Sequence, residues 1–244
     1  MGATNMAEGN VRNSFVLGLF ICLGLVVLGF ALGSSLIKFK EFERTVSVKG
    51  LSERELPADI ALWPIQFAAG NEDLAALYVR LDRDTEKILR FLAANGIDSS
   101  EITVSVPAVV DKLAQQYGGS GDVGLRYTGS RTVTVYSPHV DVVRAAIRKL
   151  AELGREGIAF AGENYQNKTE YIFTRLNDVK PEMIEEATRK AREVAMKFAQ
   201  DSDSKLGKIK QAYQGQFSIS DRDANTPYIK KIRVVATIEY YLSD

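Results

Sequence analysis

Apolar and polar residues stop alternating altogether in one stretch near the N-terminus. From Phe15 to Leu32 the chain runs FVLGLFICLGLVVLGFAL, and no charged side chain falls between Arg12 and Lys38. At about 1.5 Å of rise per residue, those 18 residues cover roughly 27 Å, and Ser34 to Ile37 carry the segment past the roughly 30 Å hydrocarbon core of a bilayer. The pattern predicts a transmembrane signal-anchor helix over 14–37 behind a short tail, 1–13. A cleavable signal peptide has a shorter apolar core and a more basic start than Arg12 offset by Glu8, although Ala31-Leu32-Gly33 also fits a cleavage site. Gly29 and Gly33 form a GxxxG pair, and Gly18 and Cys22 repeat the small-xxx-small spacing. These four residues are candidates for helix association, against the simpler reading that glycine is common in membrane helices.

Past residue 44 the period shortens. Thr45 to Val48 alternates as a half-buried strand, with Gly50 as its stop, and Ile60 to Phe67 sets Trp63, Ile65 and Phe67 on one face. Pro64 cannot donate to a ladder, which places that run at an edge or a bulge. Asn71 is the predicted cap of a helix whose stripe includes Leu74, Leu77, Leu81, Ile88 and Leu92, ending at Asn95-Gly96. Ile102, Val104 and Val106, followed by Ser130 to Tyr136, predict a hairpin. Ser137 and Pro138 open a second helix that runs to Gly154. Short strands at 158–160 and 170–174 lead to a third helix opened by Pro181. Within it Ala187, Ala191, Ala195 and Ala199 draw a smooth ridge that lets a helix pack unusually close to its neighbour, inside the subunit or between subunits. Strands over 208–219 and 229–242 close the chain. Hairpins interleaved with helices predict an α+β domain over 44–244, mainly antiparallel, with helices packed on one face of the sheet or sheets.

Charge narrows the function. The chain has 31 basic and 31 acidic residues, and without the first 37, which hold only Arg12 and Glu8, 30 of each remain. A nucleic-acid interface shows a basic surplus, so no nucleic-acid partner is expected. Some 200 residues suffice for one large core or two smaller lobes. The one cysteine, Cys22, lies in the apolar segment, away from any soluble chemistry. Lys38, Lys40 and Arg44 outnumber Arg12, which by the positive-inside rule sets the C-terminal flank in the cytoplasm; long domains translocate regardless of flank charge, so the pattern leaves orientation open.

Catalytic constellations are few. His139 is the single histidine, and at the start of a helix it fits a capping position better than a catalytic one. Asp221-Arg222-Asp223-Ala224-Asn225 begins like a calcium loop, but Thr226 and Ile232 stand where that loop needs glycine and glutamate, which favours a polar turn. Residues 117–124 are glycine-rich without the lysine and following helix of a phosphate loop, which favours a hairpin tip. No catalytic residue, metal site or cofactor is assigned. Paired carboxylates of a hydrolase stay open as a less favoured reading.

The segment Tyr127 to Val135 (YTGSRTVTV), the helix Ala187 to Ala195 leading to Leu206-Gly207-Lys208-Ile209, and Val46-Ser47-Val48-Lys49-Gly50 together resemble the bacterial SIMPL domain family over about 44–242. That resemblance implies an exported domain in the periplasm or on an envelope membrane. It also implies assembly into ring-like homo-oligomers and an association with oxidative-stress tolerance. With no thiol in the domain past residue 44, and Met183 and Met196 as that domain's oxidisable sulfurs, such protection is expected to be indirect. The resulting expectation is a membrane-anchored, self-assembling structural protein of the envelope, held to the lipid bilayer by 14–37. The alternative is a binding module that recruits an envelope protein or small ligand through loops 118–124 and 162–167.

Overall fold

A computed structural model describes residues 17–33, 44–114, 125–161 and 167–243. It is an α+β fold with antiparallel sheets. Residues 17–33 form helix α1, whose 17 residues rise about 25 Å. Among the described residues no helix is long and apolar enough to cross a membrane. The ends of the expected span, 14–16 and 34–37, lie outside the described residues, as does the tail.

The remaining elements are β1 (Thr45–Pro57), β2 (Ile60–Asn71), α2 (Leu74–Ala94), β3 (Ile102–Val104), β4 (Ala108–Asp111), β5 (Tyr127–Ser137), α3 (Val140–Lys149), α4 (Ala151–Arg155), β6 (Ala159–Phe160), β7 (Glu170–Ile172), α5 (Leu176–Asp201), β8 (Lys205–Gln214), β9 (Ser218–Asp221) and β10 (Ile229–Ser243). One sheet runs β1-β10-β8, with β9 also on β10; the other runs β3-β5-β2-β6, with β4 on β5 and β7 on β2. The chain divides into two compact units. The first comprises Met1–Ser52, Met183–Gln216 and Val234–Asp244, and the second Glu53–Glu182 and Phe217–Arg233.

The second unit is organised by the β2–β5 ladder, which pairs Ala61 with Ser137 through to Asn71 with Tyr127. Ala61, Trp63, Ile65, Phe67 and Ala69 all point to one side, where they are buried with Val133 and Val135 of β5 and with Leu77, Leu81, Ile88 and Leu92 of α2. Val143 and Ala146 of α3 complete that core. Helix α2 is capped by Asp73, whose carboxylate accepts the Ala76 N–H at 2.7 Å. Asn71 acts one step earlier, its side-chain oxygen accepting the Asp73 N–H.

Several sequence expectations shift here, each for a local reason. Pro64 lies inside the sheet and pairs with Thr134. On β2's other side the Gln66 carbonyl accepts the Ala161 N–H. Ladder bonds alternate every two residues, so the Pro64 nitrogen faces that same side, between β6 at Phe67–Ala68 and β7 at Ile60–Leu62, where the partner strand is interrupted. Val104 pairs with Val133 and Ala108 with Ser130, so three residues, 105–107, oppose two, 131–132. This bulge puts Val106 outside the strand, 89 % exposed. Helix α3 starts after His139 rather than at Pro138, because the Ser137 hydroxyl accepts the His139 N–H and holds an extra turn. Gly154 sits within α4; the chain leaves it at Gly157, whose φ of 89° suits glycine. Helix α5 begins at Leu176, five residues before Pro181, which so early in the helix removes a single backbone bond. The predicted strand 208–219 is two strands, β8 and β9, pairing with different stretches of β10.

In the first unit Ala187, Ala191, Ala195 and Ala199 are buried along with Met183, as are Val48, Gly50 and Ser52 of β1 and Val234, Ala236, Ile238 and Tyr240 of β10. Gly50 does not end β1. It sits under α5, where a Cβ would stand 1.8 Å from the Ala187 carbonyl oxygen and 2.6 Å from the Ala191 nitrogen.

Arg131 fixes α2 to the sheet of the second unit. Its guanidinium donates to Asp82 at 2.8 Å and Thr85 at 2.9 Å, while its buried Nε has no acceptor among the described residues. Arg131→Met keeps the apolar stem and removes that orphan donor, and Asp82 is exposed enough to return to water. The substitution is expected to cost only about 1 kcal/mol in urea unfolding. A loss several times larger would mean that the ion pair dominates.

Candidate functional site

The most constructed polar surface of the second unit lies where α3, the start of β7 and the turn after β9 meet. Arg144 and Arg148 are one helical turn apart on α3, which sets both on one face. The Arg144 guanidinium stacks 3.3 Å from the Tyr228 ring centroid and donates to Asp141 at 3.0 Å. Tyr228 in turn meets Tyr171 edge-on, with ring centroids 6.1 Å apart. Between these groups lies a cleft of about 400 Å³ lined also by Arg148, Lys168 and Asn225. A hollow of about 350 Å³ adjoins it, sharing Lys168 and Tyr171 and adding Glu170 and the Lys230–Asp221 ion pair. Lys230 is buried, and Asp221 supplies the counter-charge that burial demands.

The turn that carries Asn225 is built by Asp223. One carboxylate oxygen accepts the Asn225 and Thr226 N–H groups, both at 2.8 Å; the other accepts from the Arg222 guanidinium and the Thr226 hydroxyl. The calcium-like segment is thus a turn whose central carboxylate is committed to its own backbone. The Thr226 hydroxyl, then Arg222, hold the Asp223 carboxyl down to about 2, below its ordinary 3.8. Because the folded value is the lower one, the turn's contribution is present above pH 3.8 and is lost as pH falls through about 2. A carbon-detected NMR titration should place the Asp223 midpoint near 2, and Thr226→Val should move it back toward 3.8. A midpoint of 3.8 in the unsubstituted protein would contradict this turn.

His139 faces Glu101, Nδ1 to carboxylate oxygen 3.0 Å, on the exposed side of the first turn of α3. Its side chain makes no cap hydrogen bond, so it holds the cap position through its backbone alone. Glu170 and Asp221 line one hollow, but Asp221 is held by Lys230.

The other sequence-selected residues lie elsewhere. Gly18, Cys22, Gly29 and Gly33 are on α1; Cys22 is exposed, and a Cβ at any of the three glycines would meet nothing within 4 Å. The alanine ridge is the buried face of α5. The tip 118–124 lies outside the described residues, as does 162–166. Asn167 is described and reaches Gln66 through its side-chain amide. The cleft itself escapes sequence reasoning, because Arg144, Lys168, Asn225 and Tyr228 belong to segments far apart in the chain. The local signal is the Arg144/Arg148 spacing around Ile147, which by itself reads as an ordinary solvated helix face.

No curated protein is similar enough to match the chain. Residues 46–240 match the SIMPL family model, described as a protein of unknown function (DUF541). That match covers the strands and helices in which the resemblance was found, from Val46 of β1 to Tyr240 of β10, and the chain belongs to the SIMPL family.

Proposed function

We propose that the chain is a membrane-associated, self-assembling element of the cell envelope, whose SIMPL domain supplies structure and not a chemical step. The observation that carries this reading is β8. It ends the sheet path, and all ten of its residues except Leu206 are exposed, Ile209 by 49 % and Tyr213 by 68 %. An edge strand presents unpaired N–H and C=O groups that template another strand, and the lysines at 205, 208 and 210 are the kind of charge that restricts such pairing to a matched partner. The occupant is a second copy of this chain, in keeping with the ring-like assembly that the family resemblance implies. Helix α1, apolar and exposed along 17–32, supports attachment to a lipid bilayer through 14–37, with the face Gly18, Cys22, Gly29 and Gly33 available for helix contacts and the domain extracytoplasmic. Any part in oxidative-stress tolerance is indirect, through an envelope partner or through the assembly.

The test is the mass of the full chain extracted from membranes. The expected result is a multiple of the 26.9 kDa protomer that persists on dilution; a protomer alone at every concentration overturns the reading. In the same measurement Ile209→Glu with Tyr213→Glu, two exposed positions, should weaken assembly by about tenfold or more while leaving circular dichroism unchanged. Assembly unaffected by the pair would exclude β8 as the interface.

A further inference from the structure

We propose that the cleft between α3, β7 and the 221–228 turn binds a phosphorylated polyol or sugar, the phosphate between Arg144, Arg148 and Lys168 and the hydroxyl-bearing body toward Tyr171 and Glu170. This site is independent of the assembly reading, and its test is separate.

Three cations line the 400 Å³ cleft, and no carboxylate lines it with them. Arg148 and Lys168 have no ion-pair partner among the described residues. Arg148 and Lys168 are exposed and, beside an Arg144 that is already tied to Asp141, give the cleft a local positive field of about two charges, which suits a phosphate dianion. Arg144 is pre-positioned for that role. Its guanidinium is held over the Tyr228 ring and tied at one N–H to Asp141, so of the five N–H donors of a guanidinium the others have no protein acceptor among the described residues. A fixed fork loses little side-chain entropy when a phosphate oxygen arrives.

The rest of the surface selects what the phosphate is attached to. Asn225 offers an amide, placed by the Asp223 turn, and Thr169 a hydroxyl, both able to bond ligand oxygens. The adjoining hollow changes character. Lys230 and Asp221 there cancel each other, which leaves Glu170 as an acceptor for ligand hydroxyl groups. Tyr171 and Pro227 border both spaces and provide apolar faces for the C–H surface of a ring. Cationic at one end, apolar in the middle and hydrogen-bond-accepting at the other, the pair of cavities matches a sugar or cyclitol phosphate. Such a group exists free or as a lipid headgroup.

Calorimetric titration of the full chain with glucose 6-phosphate tests the free form; co-sedimentation with vesicles containing phosphatidylinositol 4-phosphate, against phosphatidylcholine alone, tests the headgroup. The expected result is saturable one-to-one binding in at least one arm. Arg148→Gln with Lys168→Gln, both exposed and outside the core, should weaken it about tenfold or more. Arg192→Gln, in a different basic cleft of the first unit, should leave it unchanged. Glucose without phosphate should not bind measurably. Absence of saturable binding in both arms overturns the proposal. So does a double variant that binds as the parent does, or an equal loss in Arg192→Gln, which would reduce the effect to general charge attraction.

Discussion

Gly50→Ala is expected to lower the stability of the first unit by about 4 kcal/mol, or to prevent its folding. The added Cβ would meet the Ala187 carbonyl oxygen at 1.8 Å, the Ala191 nitrogen at 2.6 Å and the Ala187 carbonyl carbon at 2.9 Å. All three are backbone atoms of α5, so no side-chain rotation relieves the clash. The helix has to move off β1, and moving it opens a gap along the buried ridge of Ala187, Ala191 and Ala195. Small side chains on that ridge have no spare length with which to refill the gap, so the contact energy is lost along the seam and not at one residue. The same arrangement explains the buried Ser52, two residues on, whose hydroxyl donates to Glu186 at 2.8 Å while Glu186 also pairs with Lys190 at 2.7 Å. Urea unfolding of Gly50→Ala beside Lys49→Ala, an exposed neighbour expected to stay within about 0.5 kcal/mol of the parent, isolates the effect. A Gly50 variant as stable as the Lys49 one would show that α5 does not lie against β1 in solution.

Gly50 also marks where the sequence becomes illegible. The alanines at 187, 191, 195 and 199 announce a close-packed helix face from spacing alone, but what they pack on is a tertiary fact. A glycine within an alternating run has two meanings, a stop or a close approach, and only the overlying helix decides between them. The 3,4 stripe of α2 and the two-residue alternation of β2 were legible because burial on one face imposes the period directly. The bulge at 105–107 was not, since an inserted residue leaves the apolar count intact while changing which side chain faces out. Residues 208–219 carry Gly215 in the break between β8 and β9, but a glycine inside such a run fits a bulge or a close approach within one strand as well as an end. For the cleft, the Asp223 turn was readable as a turn, whereas the stacking of Arg144 on Tyr228 joins residues 84 positions apart. Cation clusters assembled this way leave no periodic trace.

Phe67→Ala is expected to cost about 3–5 kcal/mol, and the loss should register first in the second unit. Phe67 is fully buried at the middle of β2, opposite Arg131 on β5 and Phe160 on β6, within the core shared with Leu77 and Leu81 of α2. Truncation removes a ring from a site whose walls are strands paired on both sides of β2, so the backbone cannot close in and most of the ring volume stays as a cavity. Trp63, the single tryptophan of the chain, lies four residues away on the same face of the same strand and within the same core. Its fluorescence therefore reports on this core directly. The midpoint of the fluorescence-detected urea transition should fall by several tenths of the parent's value, with the slope unchanged if the unfolded state is unaffected. Tyr136→Ala supplies the contrast. Tyr136 is on β5, 52 % exposed on the sheet face turned away from that core, and its truncation should shift the same transition by less than about 1 kcal/mol. Equal losses at Phe67 and Tyr136 would mean that both sheet faces are covered in solution. The exposed face would then be a second buried surface, formed by something that packs against Leu62, Thr134 and Tyr136.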